Sequence, residues 1–317
     1  MKSEEQFLEL IDTHFPRDHE FLKLGRGDDC AVLAGGKDYC VSSDLFLEDV
    51  HFRRDYFTAQ DIGYKALAVN ISDIAGMGAK PVAFTMDLMA PADLPDDFWD
   101  GFFKSMSTLA RQNDIALAGG DLSRADKFGI SITIFGVAGG SGNFITRGNC
   151  APGDILFTVG DLGLARAGFH TLEAFGSDKG KEVFPAAVLA HLRPKPKVLT
   201  GTLLNAAGAK SLMDVSDGLA RDLPRLLGPD LGADITLPAS ELNGNVLAFS
   251  LGVGADPVET AILGGEDYAL LGTASPDTMD TVGSVPGLKI IGTVTDAPGL
   301  IVNGSPFAAE GFDHFDK

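Results

Sequence analysis

Aspartates make up most of this sequence's capacity for chemistry. Asp28-Asp29, Asp44, Asp73, Asp121 and the pair Asp214 and Asp217 each stand at an expected strand end, in an expected helix or beside a glycine turn, among apolar neighbours. Asp73 lies within Asn70-Ile71-Ser72-Asp73-Ile74-Ala75, and Asp121 follows Gly119-Gly120. A carboxylate near a core is costly unless a cation or hydrogen-bond donors meet it. Lys37 and Lys65 are the obvious basic partners in the first half. Hard divalent cations such as Mg2+ take oxygen ligands and keep room in their shell for water and phosphate. Acids converging from separate strand ends therefore suit a Mg2+–nucleotide site. Each also admits a plainer role. Asp28 and Asp29 fit turn or cap positions, Asp61 an N-cap, Asp73 an ion pair with Lys65, and Asp121 a turn cap. Asp214 and Asp217 fit a strand end followed by a helix cap. His51 fits a packed core histidine, Glu266-Asp267 an ordinary turn after Gly264-Gly265, and Phe312 a surface plug.

The elements that must position these residues can be read from periodicity. Apolar residues at helical spacing predict helices over 61–77 and 96–111, and alternation predicts strands over 82–88 and 130–137. Residues 39–44 read as a short strand ending in acid, and 115–118 as a short buried strand running into Gly119-Gly120-Asp121. A turn cluster, Gly139-Gly140-Ser141-Gly142-Asn143, precedes Arg147-Gly148 and Pro152-Gly153-Asp154. This places a domain boundary near 145–152, giving domains 1–148 and 149–317. In the second half, 164–175, 196–207 and a segment from Leu219 read as helices. Strands are expected over 155–159, 212–215, 268–273, 289–294 and 300–302. The fold class is α/β, of the α+β type, in two halves of similar size.

Composition narrows the partners. The chain has 317 residues, 45% of them hydrophobic, enough for two cores and against a disordered chain. Asp and Glu number 44 against 25 Lys and Arg, a net charge of −19 that repels nucleic acid and anionic membranes. There is no apolar run of membrane length and no charged-then-apolar leader, and the three cysteines lack metal-ligand spacing. A reduced, cytoplasmic protein is expected. No G-x-x-x-x-G-K-[ST], G-x-S-x-G or H-E-x-x-H occurs, and Gly25-Arg26-Gly27 falls short of a dinucleotide fingerprint.

The motifs taken in order resemble thiamine-monophosphate kinases. They begin with Gly27-Asp28-Asp29-Cys30-Ala31, Ser42-Ser43-Asp44 with His51-Phe52, and the run from Lys65 to Ala79 containing Asn70-Ile71-Ser72-Asp73. Gly119-Gly120-Asp121, Thr146-Arg147, Pro152-Gly153-Asp154 and Leu192-Arg193-Pro194 follow. Asp214-Val215-Ser216-Asp217-Gly218, Gly264-Gly265-Glu266-Asp267 and Gly311-Phe312-Asp313 complete the series. The resemblance covers nearly the whole chain. It implies the two-domain fold typified by aminoimidazole ribonucleotide synthetase, without a P-loop, and a homodimer. It implies transfer of the γ-phosphoryl of ATP onto thiamine monophosphate, giving thiamine diphosphate, with several Mg2+ ions and no covalent nucleophile. By the same resemblance Asp29, Ser42, Ser43, Asp44, Asp73, Asp121, Asp214 and Asp217 fall on metal positions. Gly120, Asp121, Arg147 and Ser216 fall on ATP positions, and His51, Glu266 and Phe312 on substrate positions. Selenophosphate synthetases of the same superfamily usually carry a reactive cysteine near the N-terminus; residues 1–25 contain none.

Overall fold

A computed structural model describes residues 22–24, 27–33, 38–140 and 142–308. The first sheet has strands β1 (Leu22–Leu24), β2 (Ala31–Leu33), β3 (Tyr39–Leu47), β4 (Ala79–Ala90), β5 (Ala116–Arg124) and β6 (Gly129–Ala138). Their order is β1-β2-β3-β6-β4-β5, antiparallel except for the β4–β5 pair. One face is apolar because alternate residues point to it. On β6, Ile130, Ile132 and Ile134 are buried, while Ser131 and Thr133 between them, and Phe135 after them, are partly exposed. Helices α1 (Ala59–Gly76) and α2 (Asp96–Gln112) belong to this half. The other face of the sheet is open. Leu45 is 56% exposed, and every residue of the edge strand β5 is exposed.

Helix α1 is the hinge of the architecture. It is buried almost all round, as expected of a helix with no polar face. Thr58 starts it: its hydroxyl accepts from Asp61 N while Asp61 accepts from the Thr58 backbone, a capping box. The expectation that Asp61 is the N-cap is corrected by three residues, because the threonine supplies the cap and the acid the reciprocal bond.

The second sheet has seven strands ordered β13-β12-β9-β11-β7-β10-β8. These are β7 (Ile155–Val159), β8 (Ser211–Asp214), β9 (Gly232–Ile235), β10 (Leu270–Ala274), β11 (Leu288–Thr295), β12 (Gly299–Val302) and β13 (Ser305–Phe307). Around it lie α3 (Leu164–Val183), α4 (Pro185–Leu192), α5 (Val198–Ala207), α6 (Leu219–Leu227), α7 (Gly244–Val253), α8 (Pro257–Ile262) and α9 (Met279–Val282). Strands β7, β8 and β10 are buried almost throughout, so they read as continuous apolar runs. The two halves meet on α1. Asn205 on α5 donates to Gly78 O at 3.0 Å, and Arg193 pairs with Asp61 at 2.5 Å. Among the described residues no helix is long and apolar enough to cross a membrane.

The strand expected over 115–118 is instead nine residues long and exposed, since it forms the sheet's edge and pairs with β4 on one side only. Asp121 therefore lies within a strand, not in a turn.

Candidate active site

The acids from the first half gather where β3 faces α1. Ser42 and Asp44 are two residues apart on β3 and share a face. The Ser42 hydroxyl donates to Asp73 Oδ2, and Asp44 lies close enough to Asp73 for its charge to raise the Asp73 pKa. Gly76, at the end of α1, lets two further segments approach. A Cβ there would stand 2.6 Å from Asp29 Oδ2 and 3.0 Å from Asp214 N.

The second half supplies two loops that lock together. Strand β8 ends at Asp214 and runs through Val215-Ser216-Asp217-Gly218 into α6. Buried Asp222 on α6 fixes this turn by accepting from Ser216 N and Asp217 N, both at 3.0 Å. The Gly264-Gly265-Glu266-Asp267 loop is held against it: Glu266 N donates to Ser216 O at 2.7 Å and Tyr268 N to Val215 O at 2.9 Å. Glu266 and Tyr268 both take positive φ, 61° and 48°, a conformation that non-glycine residues adopt only when their surroundings impose it. Asp267 accepts from Gly163 N at 2.5 Å and Ala165 N at 2.9 Å, fastening the loop to the start of α3.

The result is a strongly anionic, partly buried cluster. Asp44 is pushed up to about 6, first by burial and then by the charge of Asp214. Asp214 is likewise raised to about 6 by burial, with Ser72 and Arg147 opposing and Asp217 adding to the rise. Asp73 lies well above the usual carboxylate range through burial and the charges of Asp44 and Asp214. Asp222 is raised to about 7, chiefly by burial. The basic groups at this cluster are Arg147, which contacts Asp29 and donates its backbone N–H to Asp28 at 2.8 Å, and Arg225, 2.5 Å from Asp217. Asp29 Oδ2 and Asp214 Oδ2 are buried without a hydrogen-bond partner. Buried carboxylate oxygens without a partner are the donor type that a hard cation takes. Among the described residues no three acids or imidazoles stand close enough to cage one ion.

Beside the acids lies a second feature. Lys65 is fully buried, with Nζ 2.9 Å from Glu266 Oε1, and His191 Nδ1 is 3.0 Å from Glu266 Oε2. Lys65 therefore does not pair with Asp73. The two are eight positions apart on α1, about 12 Å along the axis at about 1.5 Å per residue.

Other expected site residues fall elsewhere. Ser43 points to the open face of the sheet, where its hydroxyl meets Thr133 Oγ1 at 3.0 Å. Register sets Asp44 opposite Ile132, Ile132 opposite Met86, and Met86 opposite Gly120. Gly120 thus shares the row of Asp44, whereas Asp121 lies on the next row, paired with exposed Asp87. Three strand spacings separate β3 from β5, about 14 Å at about 4.8 Å each. His51 accepts from Leu47 N at 3.0 Å through Nδ1 and stacks on Phe46. Phe312 lies outside the described residues. Residues missed by motif reading are His191, Asp222 and Arg225. Lys65 carried one usable signal, a lone cation in an otherwise apolar helical run.

Comparison with known proteins gives this geometry its context. Residues 27–138 match the family described as AIR synthase related protein, N-terminal domain, and residues 151–304 its C-terminal domain. Thiamine-monophosphate kinase of Mycobacterium tuberculosis is 34% identical over 284 residues, covering 88% of this chain and 81% of its own length. That of Escherichia coli is 34% identical over 314 residues, covering 93% and 92%. The chain belongs to the thiamine-monophosphate kinase family. The family's solved structures share the architecture. AaThiL complexed with AMPPCP and TMP is 27% identical with a TM-score of 0.85, covering 98% of this chain and 97% of its own. The Stenotrophomonas maltophilia enzyme is 32% identical with a TM-score of 0.77, covering 94% and 96%. Hydrogenase maturation protein HypE, 17% identical with a TM-score of 0.69, shares the fold alone.

Proposed function

We infer that this chain is an ATP-dependent thiamine-monophosphate kinase. The observation that carries the reading is the grouping of Asp29, Asp44, Asp73 and Asp214, of which Asp29 and Asp214 each bury a carboxylate oxygen without a partner, in a chain of this family. The γ-phosphoryl group of ATP is transferred to the phosphate of thiamine monophosphate, giving thiamine diphosphate and ADP. The P–O bond to the β-phosphate breaks as a P–O bond to the acceptor oxygen forms. Both reactants are anions, so the protein's task is to hold them in line and neutralise their repulsion. Asp29, Asp44, Asp73 and Asp214 would hold Mg2+ ions singly or in pairs, not all around one ion, and the bound ions would supply that neutralisation. Arg147, with its planar fork of donors, suits a phosphate once drawn from Asp29. Gly120 and Ser216 are proposed nucleotide contacts; Glu266, His51 and Phe312 are proposed for the thiamine moiety.

Asp121, Ser43 and the homodimer belong together in this reading. Two open features support an assembly of two copies: the exposed edge strand β5, with Leu117 56% and Leu122 72% exposed, and the uncovered sheet face carrying Leu45. The test is ATP consumption by the purified protein with and without thiamine monophosphate, with the product identified by chromatography. Phosphorylation of free thiamine, with thiamine monophosphate left untouched, would reject the assignment.

A further inference from the structure

The buried contacts of Glu266 reach beyond the acidic cluster. Lys65 comes from α1 in the first half, His191 from α4 in the second, and Glu266 from the loop locked to Ser216. Lys65 is 0% exposed, yet Glu266 is the only carboxylate paired with it among the described residues. Its ammonium also lies 5.5 Å from the centre of the Phe57 ring. The His191 ring packs between Phe57 and Phe169, with centroids 5.6 and 5.5 Å away. Burial, and then the neighbouring Lys65 charge, lower the His191 pKa and favour the neutral ring, whose Nδ1 stands 3.0 Å from Glu266 Oε2. Glu266 is held well below the usual carboxylate range by Lys65 and His191 against the opposing effect of burial. Its side chain nevertheless remains 33% exposed. A carboxylate has about four acceptor positions. Lys65 Nζ and His191 Nδ1 each crowd one oxygen from the protein side, at 2.9 and 3.0 Å, which restricts the plane of the group and leaves its other lone pairs toward solvent.

Burying a lysine and a histidine to seat one glutamate is expensive unless the carboxylate's orientation matters. We propose that Lys65 and His191 are positioning residues that set the Glu266 carboxylate at the angle needed to meet an N–H donor or the cationic ring of the substrate. This rests on the reading of Glu266 as a substrate contact. The seat crosses from one half of the chain to the other, so it also ties recognition of the thiamine moiety to the relative placement of the two halves.

The test compares KM and kcat of the full chain for thiamine monophosphate and ATP in Glu266→Gln, Lys65→Met, the Lys65→Met/Glu266→Gln double variant, His191→Asn and His191→Leu. Asparagine keeps a donor near the Nδ1 position, while leucine removes it. Lys65→Met and Glu266→Gln should each raise KM for thiamine monophosphate about 10- to 100-fold, the effect of losing one charge-assisted hydrogen bond. KM for ATP should stay within about twofold. The double variant should be no worse than Glu266→Gln alone, because a neutral amide no longer needs the lysine. His191→Asn should lie near the wild type and His191→Leu near Lys65→Met; this pair decides the matter if Lys65→Met fails to fold. An unchanged KM in Glu266→Gln would remove Glu266 from the substrate site. A raised KM in Glu266→Gln together with unchanged values in Lys65→Met and His191→Leu would overturn the positioning role alone. So would a Lys65→Met penalty of equal size in the Glu266→Gln background, since that marks a purely structural lysine.

Discussion

Replacing Asp44 with asparagine removes a charge that the metal-free fold holds against its neighbours. Burial and Asp214 lift Asp44 from an ordinary 3.8 to about 6. Each unit corresponds to about 1.4 kcal/mol, so ionised Asp44 costs the apo protein about 3 kcal/mol above pH 6. The sign follows from linkage. The folded chain binds the proton more tightly than the unfolded one, so this cost is absent below about pH 4 and grows as pH rises from there through 6. An asparagine must still be desolvated, so about half of the cost should be recovered, near 1.5 kcal/mol. At about 2.1 cal/mol/K of unfolding entropy per residue, that is a rise in Tm of about 2 °C for the whole chain. The assay is thermal unfolding in chelator at about pH 8 and about pH 4.5. Asp44→Asn should melt higher at pH 8, with the difference shrinking by more than half at pH 4.5, and should lose turnover at saturating Mg2+ and ATP. A variant that melts at or below the wild type at pH 8, or whose gain is the same at both pH values, would show that Asp44 is not held under charge repulsion.

Asp121→Asn should also abolish turnover, but with no gain in apo stability, because Asp121 sits on an exposed edge strand; wild-type activity at limiting Mg2+ would return it to an ordinary surface acid. Gly120→Ala should destabilise the first half by about 2–3 kcal/mol in a denaturant melt, since φ is 153° and a Cβ would stand 1.9 Å from Met86 O. Phe312→Ala should raise KM for thiamine monophosphate about 10- to 100-fold and leave KM for ATP nearly unchanged, by analogy with loss of base–aromatic stacking. Incubation with γ-labelled ATP alone should leave no phosphoryl group on the protein. A label trapped at a competent rate would replace direct transfer with a covalent route.

Local chemistry is what a sequence carries on its face, and here it carried a great deal. Alternation marked Phe84, Met86 and Leu88 as one face of a strand, and helical spacing marked α1. Acids among apolar neighbours marked Asp29, Asp44, Asp73 and Asp214, because burial disfavours such an acid unless something meets it; the strand expected to end at Asp44 runs on to Leu47, so Asp44 faces the site from within β3. Asp61 marks the start of α1 in the sequence, but the cap is Thr58, three residues earlier, because the threonine and the acid bond each other's backbone. The tertiary structure decided which of these residues meet. Whether β5 is buried depends on its being an edge, which strand order alone sets. Whether Ser43 and Asp121 face the acids or the open side depends on register, and one residue along a strand reverses the answer. The partner of Lys65 depends on a loop near the other end of the chain arriving at the same point as α4. Spacing along a chain fixes a residue's face on its own element; only packing between distant elements fixes what that face will touch.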